Sequence, residues 1–547
     1  MPGTRDRLPI YRLARPKVDD YLAQELARRT LNVDEFVTRE TAGSRRIQVR
    51  SGSRVVEVHA GSGGVWAADE AQLWNVERKP RLPDREQAAK LAASLLADAR
   101  LLPKLDDKSP VELAVDSIGG SFAATEDGEN RTRTQQQLDV QVNHAMRIRD
   151  VAAGATIPVV GGGGKLKVTL GDGGTPIGYS GTWRPIEGVA MEARVIPKPE
   201  ADAAFEKRFA RFEDLKYESY LAYYAAPARV TQEFLYPVYV YRASARIGKQ
   251  IVPLRMITVP ATTFGPPREI EPRQPRRSKK TRPGSALLVN PAVMKLDLPL
   301  ARRGFLTVNP FECGTSWIGE SGGLAGSKNN AKGFIDGLAS DGWNVSFNWG
   351  DGNAWESDWR RNDDDWVDAA DFVFYTGHAN RDGWVLSNPD DTFLHTNEVG
   401  LTPSSTGDLW GRQDLEWMVI AACGPLQDDL IMGGGNVFDR WRGVFDGMHL
   451  FLGYAGITFD NEEEGESIVD YATDGTPLID AWFRTAQEIQ PSTNGAAAPD
   501  GPDVYVGAMY AYNSGTTSPR NDHLWGHGSV APDPESPDVR VCMWTQT

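Results

Sequence analysis

The sequence predicts an α/β protein. A C-terminal domain is built on a mostly parallel sheet flanked by helices, and one or two small α+β modules precede it. Three observations carry this expectation. From residue 301 onward, short apolar runs rich in β-branched and aromatic residues alternate with helix-like stretches, the pattern of strands joined by crossover helices. Between 266 and 300, prolines and like charges (Pro266, Pro267, Pro272, Arg273, Pro275, Arg276, Arg277, Lys279, Lys280, Arg282, Pro283) make a composition that cannot bury a core and reads as an exposed linker. Charge divides at the same place. Residues 301–547 hold 13 Lys+Arg against 38 Asp+Glu, a balance of −25, which leaves 46 against 36, or +10, for residues 1–300. Opposite charges on two parts of one chain favour their docking. At 547 residues the chain is also too long for a single core.

The N-terminal region, 1–265, divides into modules of about 1–150 and 151–265. An amphipathic helix is expected over 18–31. Alternation of Ile47, Val49, Val55, Val56 and Val58 predicts a hairpin over 46–60, turning at Ser51, Gly52 and Ser53. Pro83 and Asp84 start a second helix that runs to about 102, with Ala88, Leu91, Ala92, Leu95 and Leu96 on one face. Strands follow over 138–146, 165–170 and 176–184. The four glycines 161–164 have no helix and no Lys-Ser/Thr pair after them, so they read as a flexible hairpin loop rather than a phosphate cradle. The helix from Ala88 through Pro103, followed by the strand–turn–strand 165–183, resembles the PepSY-type regions of secreted-peptidase propeptides. The run Phe234, Leu235, Tyr236, Pro237, Val238, Tyr239 within 217–241 is similar to a further module of that kind. Over about 80–260 this resemblance implies an inhibitory, chaperoning or targeting role; the plain alternative is a generic α+β scaffold.

In the C-terminal domain, strands are expected over 305–308, 343–348, 372–375, 417–421, 449–454 and 504–510. Helices are expected over 329–338 (closed by Gly342), 437–445 and 477–488. Two of the strand runs end in reactive side chains: Asp371 to His378, and Leu415 through Cys423 to Pro425. Residues just past the carboxyl ends of parallel strands line the functional crevice of an open α/β sheet. A His and a Cys placed there can act as base and nucleophile. The thiol needs a neighbouring base to become thiolate at neutral pH, and the imidazole returns the proton to the leaving amine.

The blocks Gly377-His378 and Ala421-Ala422-Cys423-Gly424, 45 positions apart from His378 to Cys423, resemble those of the caspase–gingipain–legumain group of cysteine peptidases. Over roughly 300–515 the resemblance implies a caspase-like fold. It implies His378 and Cys423 as the catalytic dyad, supported by Gly377 and Gly424, and an oxyanion hole from the backbone N–H groups of Ala379 and Cys423. That group usually has glycine directly after the His, whereas Ala379 stands here. The implied activity is that of a cysteine endopeptidase. The basic exposed linker beside the acidic domain adds the expectation that the N-terminal region restrains it and that cleavage in the Arg268–Arg282 segment, by the protein itself or by another protease, releases it.

Cys313 and His527 are further candidates for the cleft; His523 pairs in sequence with His527 as a candidate metal site, and His395 reads as structural. The runs Asp363–Asp365 and Glu462–Glu464 are candidates for Ca²⁺, although nothing in the sequence requires a cofactor. The acidic domain favours substrates with a basic P1 residue, with Arg381 and Arg412 the nearest cations for an acidic one. Three scattered cysteines exclude a disulfide framework, no run is long enough to span a bilayer, and no signal peptide is visible. The basic linker lacks the interleaved aromatics of a nucleic-acid site. The expected partners are therefore a protein or peptide substrate and the chain's own N-terminal region. A competing reading keeps the caspase-like fold but assigns it to binding, with the 13 tryptophans of 301–547 at the contact surface.

Overall fold

The computed structural model describes residues 6–33, 37–41, 46–98, 101, 109–128, 131–150, 155–265, 311–387, 391–400, 409–494 and 503–547. The linker 266–300 and the strand expected at 305–308 lie outside the described residues. The protein is a mixed α/β structure dominated by two large sheets.

The first sheet holds fifteen strands, all from the N-terminal region and almost all antiparallel. Its middle runs Phe234–Ile247, Glu213–Tyr224, Ala155–Val160, Val140–Asp150, Lys165–Leu170 and Pro176–Thr182. The hairpin Arg46–Ser51/Arg54–His59 forms as expected, with Gly52 at φ 58 in the turn. Helix Asp20–Leu31 is set by its termini: Asp19 accepts from the Leu22 N–H, and Asn32 ends it in a left-handed conformation. Its buried Ala23, Leu26, Ala27, Thr30 and Leu31 form one stripe that packs, with helix Arg85–Asp98, on the sheet.

The second sheet has nine strands, in the order Asn344–Gly350, Glu312–Trp317, Phe372–Thr376, Trp417–Ala421, Leu450–Tyr454, Tyr505–Tyr512, Val539–Gln546, Ser121–Asp127 and Thr132–Gln137. The first five are parallel; the last four are antiparallel additions. Every residue of Phe372–Thr376, Trp417–Ala421 and Leu450–Tyr454 is buried, which is why these runs are apolar on both faces. Helices Ser327–Ser340, Glu464–Thr473 and Leu478–Ile489 cover one face through Phe334, Ile468 and Trp482. The opposite face is covered differently from the expected second layer of helices. Trp359, Trp384, Trp410 and Trp441 pack together there beside the short helix Val437–Trp441, and the N-terminal region completes the layer with Ala201 and Phe205 of helix Lys198–Arg208 and with Leu254 and Ile257. Eleven of the thirteen tryptophans of 301–547 are buried, so they serve the core and not a contact surface.

Two observations tie the regions together more closely than the linker suggests. The hairpin Ser121–Asp127/Thr132–Gln137 belongs by pairing to the second sheet. The glycines 161–164 are buried rather than free: a Cβ at Gly162 would lie 2.3 Å from the Glu488 carbonyl oxygen and 2.6 Å from that of Ile489. Ion pairs cross the same interface, Arg46 to Asp474 at 2.5 Å and Arg229 to Asp470 at 3.1 Å, and a hydrogen bond joins His59 to Glu488 at 2.7 Å.

Candidate active site

His378 and Cys423 leave neighbouring parallel strands at the same level. Thr376 is the register partner of Ala421, and each reactive residue lies two positions past that pair. The turns after them also converge. Gly424 takes φ +83, and a Cβ there would come 3.5 Å from the Arg381 backbone nitrogen. Gly377 leaves no room for a side chain, since a Cβ would meet the Tyr375 hydroxyl at 2.2 Å. Ala379 is buried and opens a two-residue strand paired to Trp384, so the turn accommodates its methyl group.

Both reactive groups are buried and engaged. The His378 ring lies 2.8 Å (Nε2) from the Gly322 carbonyl oxygen, and its Nδ1 accepts the Arg255 backbone N–H at 3.1 Å. That pattern fixes the neutral tautomer with the proton on Nε2. Burial, with the nearby cations Arg255 and Arg208, pulls the His378 pKa down to about 4 against the Gly322 hydrogen bond. Cys423 Sγ accepts the Thr458 N–H at 3.4 Å and lies 3.7 Å from Thr458 Oγ1. Burial pushes its thiol above the ordinary value, although Thr458 and Arg255 act in the opposite direction. At rest the site therefore holds a protonated thiol and a neutral imidazole rather than a thiolate–imidazolium pair.

The N-terminal region covers this site from two directions. Helix Lys198–Arg208 ends with Arg208 donating to the Gly323 carbonyl, and Phe209 and Phe212 pack at 6.3 and 6.0 Å from the His378 ring. Segment 254–256 lies over the strand ends. Its Arg255, 1% exposed, donates from Nη1 to Thr376 Oγ1 at 3.0 Å and the Ala421 carbonyl at 2.8 Å, and pairs through Nη2 with Glu464 at 3.1 Å. Glu464 also accepts from Asn330 at 2.9 Å, Tyr454 at 2.7 Å and Gln490 at 2.8 Å. Sequence reasoning singled out neither role. The available signal was Arg255 as the one cation in the apolar run Ile251 to Val259, a placement that demands a buried counter-ion.

The other candidates lie elsewhere. Cys313 sits near the start of strand Glu312–Trp317, buried in the cluster with Phe334 and Phe372; parallel strands put it at the end of the sheet opposite His378. His527 pairs with Asp341 at 2.9 Å beyond the far end of helix Ser327–Ser340, about 16 Å along the axis from Asn330. His523 contacts the Ser529 carbonyl at 3.2 Å, and His395 accepts the Asn397 N–H. Arg381 and Arg412 pair with Asp382 and Asp446. The run Glu462–Glu464 is no simple solvated face, because its last member is the buried partner of Arg255. Among the described residues, the carboxylates of Glu312, Asp371 and Asp414 lie within 4.8 Å of one another, at the starts of the strands and away from the dyad.

Residues 308–547 match a family model described as a domain of unknown function, DUF6345. The matched part therefore contains His378, Cys423 and Glu464, and excludes Arg255. Among solved structures, the chain is similar to an uncharacterized protein from Eubacterium rectale at 12% identity. The match covers 47% of this chain and 84% of that one, and its TM-score of 0.26 is too low to support an argument. No curated protein matches the sequence.

Proposed function

We propose that the protein is a latent cysteine endopeptidase of the caspase–gingipain type, with Cys423 as nucleophile and His378 as base, held inactive by its N-terminal region. The observation that supports this reading is the pairing of Thr376 with Ala421, which sets level the ends of the neighbouring parallel strands that lead to His378 and Cys423. The catalytic step passes the thiol proton to the imidazole while sulfur attacks the scissile carbonyl carbon. The protonated His378 then gives that proton to the departing amine, and water hydrolyses the thioester. N–H groups of Ala379 and Cys423 are the oxyanion donors of this reading. For His378 to accept a proton at Nδ1, the Arg255 N–H must first withdraw from it.

The test is hydrolysis of fluorogenic peptides with Arg or Lys at P1, by wild-type protein after limited proteolysis and by a Cys423→Ala control. Cleavage in the first and none in the second is expected; equal rates in both would refute the dyad. A second reading, a catalytically silent fold used for binding, is favoured by one observation: both ring nitrogens of His378 are committed to backbone groups. Under that reading iodoacetamide labels Cys423 no faster after proteolytic opening than Cys313 or Cys542, and His378→Ala changes nothing.

A further inference from the structure

The guanidinium of Arg255 is held by a chamber that belongs entirely to the other half of the chain. Nε and Nη2 donate to the Phe459 carbonyl at 3.1 and 2.6 Å, Nη1 to Thr376 Oγ1 and the Ala421 carbonyl, and Nη2 to both oxygens of Glu464 at 3.2 and 3.1 Å. A planar fork of five N–H donors fits this set, whereas a lysine ammonium, with three donors on one atom, does not. Asn330, Tyr454 and Gln490 fix the Glu464 carboxylate from within the C-terminal half. The chamber is therefore preorganised by residues that do not include the arginine.

The backbone around Arg255 docks as a peptide would. Met256 donates to the Thr458 carbonyl at 2.8 Å and accepts from the Asp460 N–H at 2.9 Å, a single parallel bridge to Phe459 of the kind an added peptide strand makes. Thr458 is also the residue that holds the Cys423 sulfur, so the docked segment runs alongside the thiol. The Arg255 N–H, not its carbonyl, meets His378. That direction of approach binds the arginine without offering its own peptide bond for attack. A buried ion pair is a poor stabilising device compared with apolar packing, so a recognition role accounts for this one better than stability does.

We infer that the chamber of Thr376, Ala421, Phe459 and Glu464 is an arginine-accepting subsite, and that Arg255 fills it as an internal stand-in for the substrate's arginine. This rests on the peptidase reading for its catalytic meaning, but binding at the chamber is testable without turnover. Arg255→Ala full-length protein is titrated with N-acetyl-arginine amide and with its neutral isostere, the citrulline amide, by calorimetry and thermal shift. The variant is expected to bind the arginine compound about tenfold or more tightly than citrulline. Wild-type protein is expected to bind neither, and Arg255→Ala/Glu464→Gln to lose the preference.

Should Arg255→Ala not fold alone, its refolding yield with each compound is the readout, and rescue by arginine amide over citrulline amide is expected. No preference, or no rescue, overturns the subsite. The two failures separate cleanly. Selective binding without Cys423-dependent cleavage of an arginyl substrate would sink the peptidase reading and leave the subsite. Cleavage without arginine preference would sink the subsite alone.

Discussion

Arg255→Met is the most informative single perturbation of the buried ion pair. Methionine keeps the apolar stem but removes every guanidinium donor, leaving Glu464 inside the protein without its cation. Removing one member of a buried pair costs about 3–5 kcal/mol. Three donors remain on Glu464, from Asn330, Tyr454 and Gln490, which places the loss toward the lower end. The Ala421 carbonyl loses its Arg255 donor, which adds about 1 kcal/mol or more, whereas the Phe459 carbonyl keeps Asn461 and Gln490 as donors. The single variant is therefore expected to lose about 4–5 kcal/mol. Arg255→Met/Glu464→Gln removes the stranded charge and is expected to recover at least about 2 kcal/mol of that loss. Urea unfolding followed by the fluorescence of the buried tryptophans measures both. A single-variant loss under about 1 kcal/mol, or a double variant no better than the single one, would refute the account of Glu464 as a charged group dependent on Arg255.

His378 is neutral in the folded protein with its pKa near 4, below the unfolded value of about 6.5, so the unfolded chain binds the extra proton between those values. Stability is then fully present above about pH 6.5 and falls by about 3 kcal/mol as pH drops to 4; acid unfolding of His378→Gln should lack this component. His449 behaves oppositely. Burial disfavours its charge, but Asp522 at 2.6 Å and Asp533 at 3.4 Å outweigh that and raise its pKa. Its contribution is complete below the unfolded value and is lost as pH rises through the folded one, so the alkaline limb should flatten in His449→Asn. Gly162→Ala drives a methyl group into the Glu488 and Ile489 carbonyls. A loss of about 1–3 kcal/mol is expected, and protease protection at helix Leu478–Ile489 should drop with it; an unchanged melting curve would contradict the close approach.

The runs 372–375 and 417–421 were legible as strands because burial on both faces of a parallel strand leaves no polar alternation to confuse the reading. The positions of His378 and Cys423 followed from those strand ends. The antiparallel additions were harder. Strand Val539–Gln546 follows a proline-rich stretch, and Ser121–Asp127 carries no local mark of a partner more than 400 positions away. Glu464 was hidden in an acidic run that suggested solvent or Ca²⁺, when in fact Asn461 accepts the Glu463 and Glu464 N–H groups in the turn that leads into helix Glu464–Thr473. Arg255 was hidden for the complementary reason. Its counter-ion lies 209 positions ahead, and distance in sequence gives no hint of it.

The hairpin that the N-terminal region lends to the second sheet changes what a cut in the linker can accomplish. Ser121–Asp127 pairs residue for residue with Val539–Gln546 from Ser121/Thr545 to Asp127/Val539. A protein nicked between 266 and 310 would thus persist as a two-chain complex, co-purifying and sharing one β-ladder, with Arg255 still seated. Severing the backbone and uncovering the site are separate events, and the second needs both covers, Phe209 with Phe212 and the residues around Arg255, to lift.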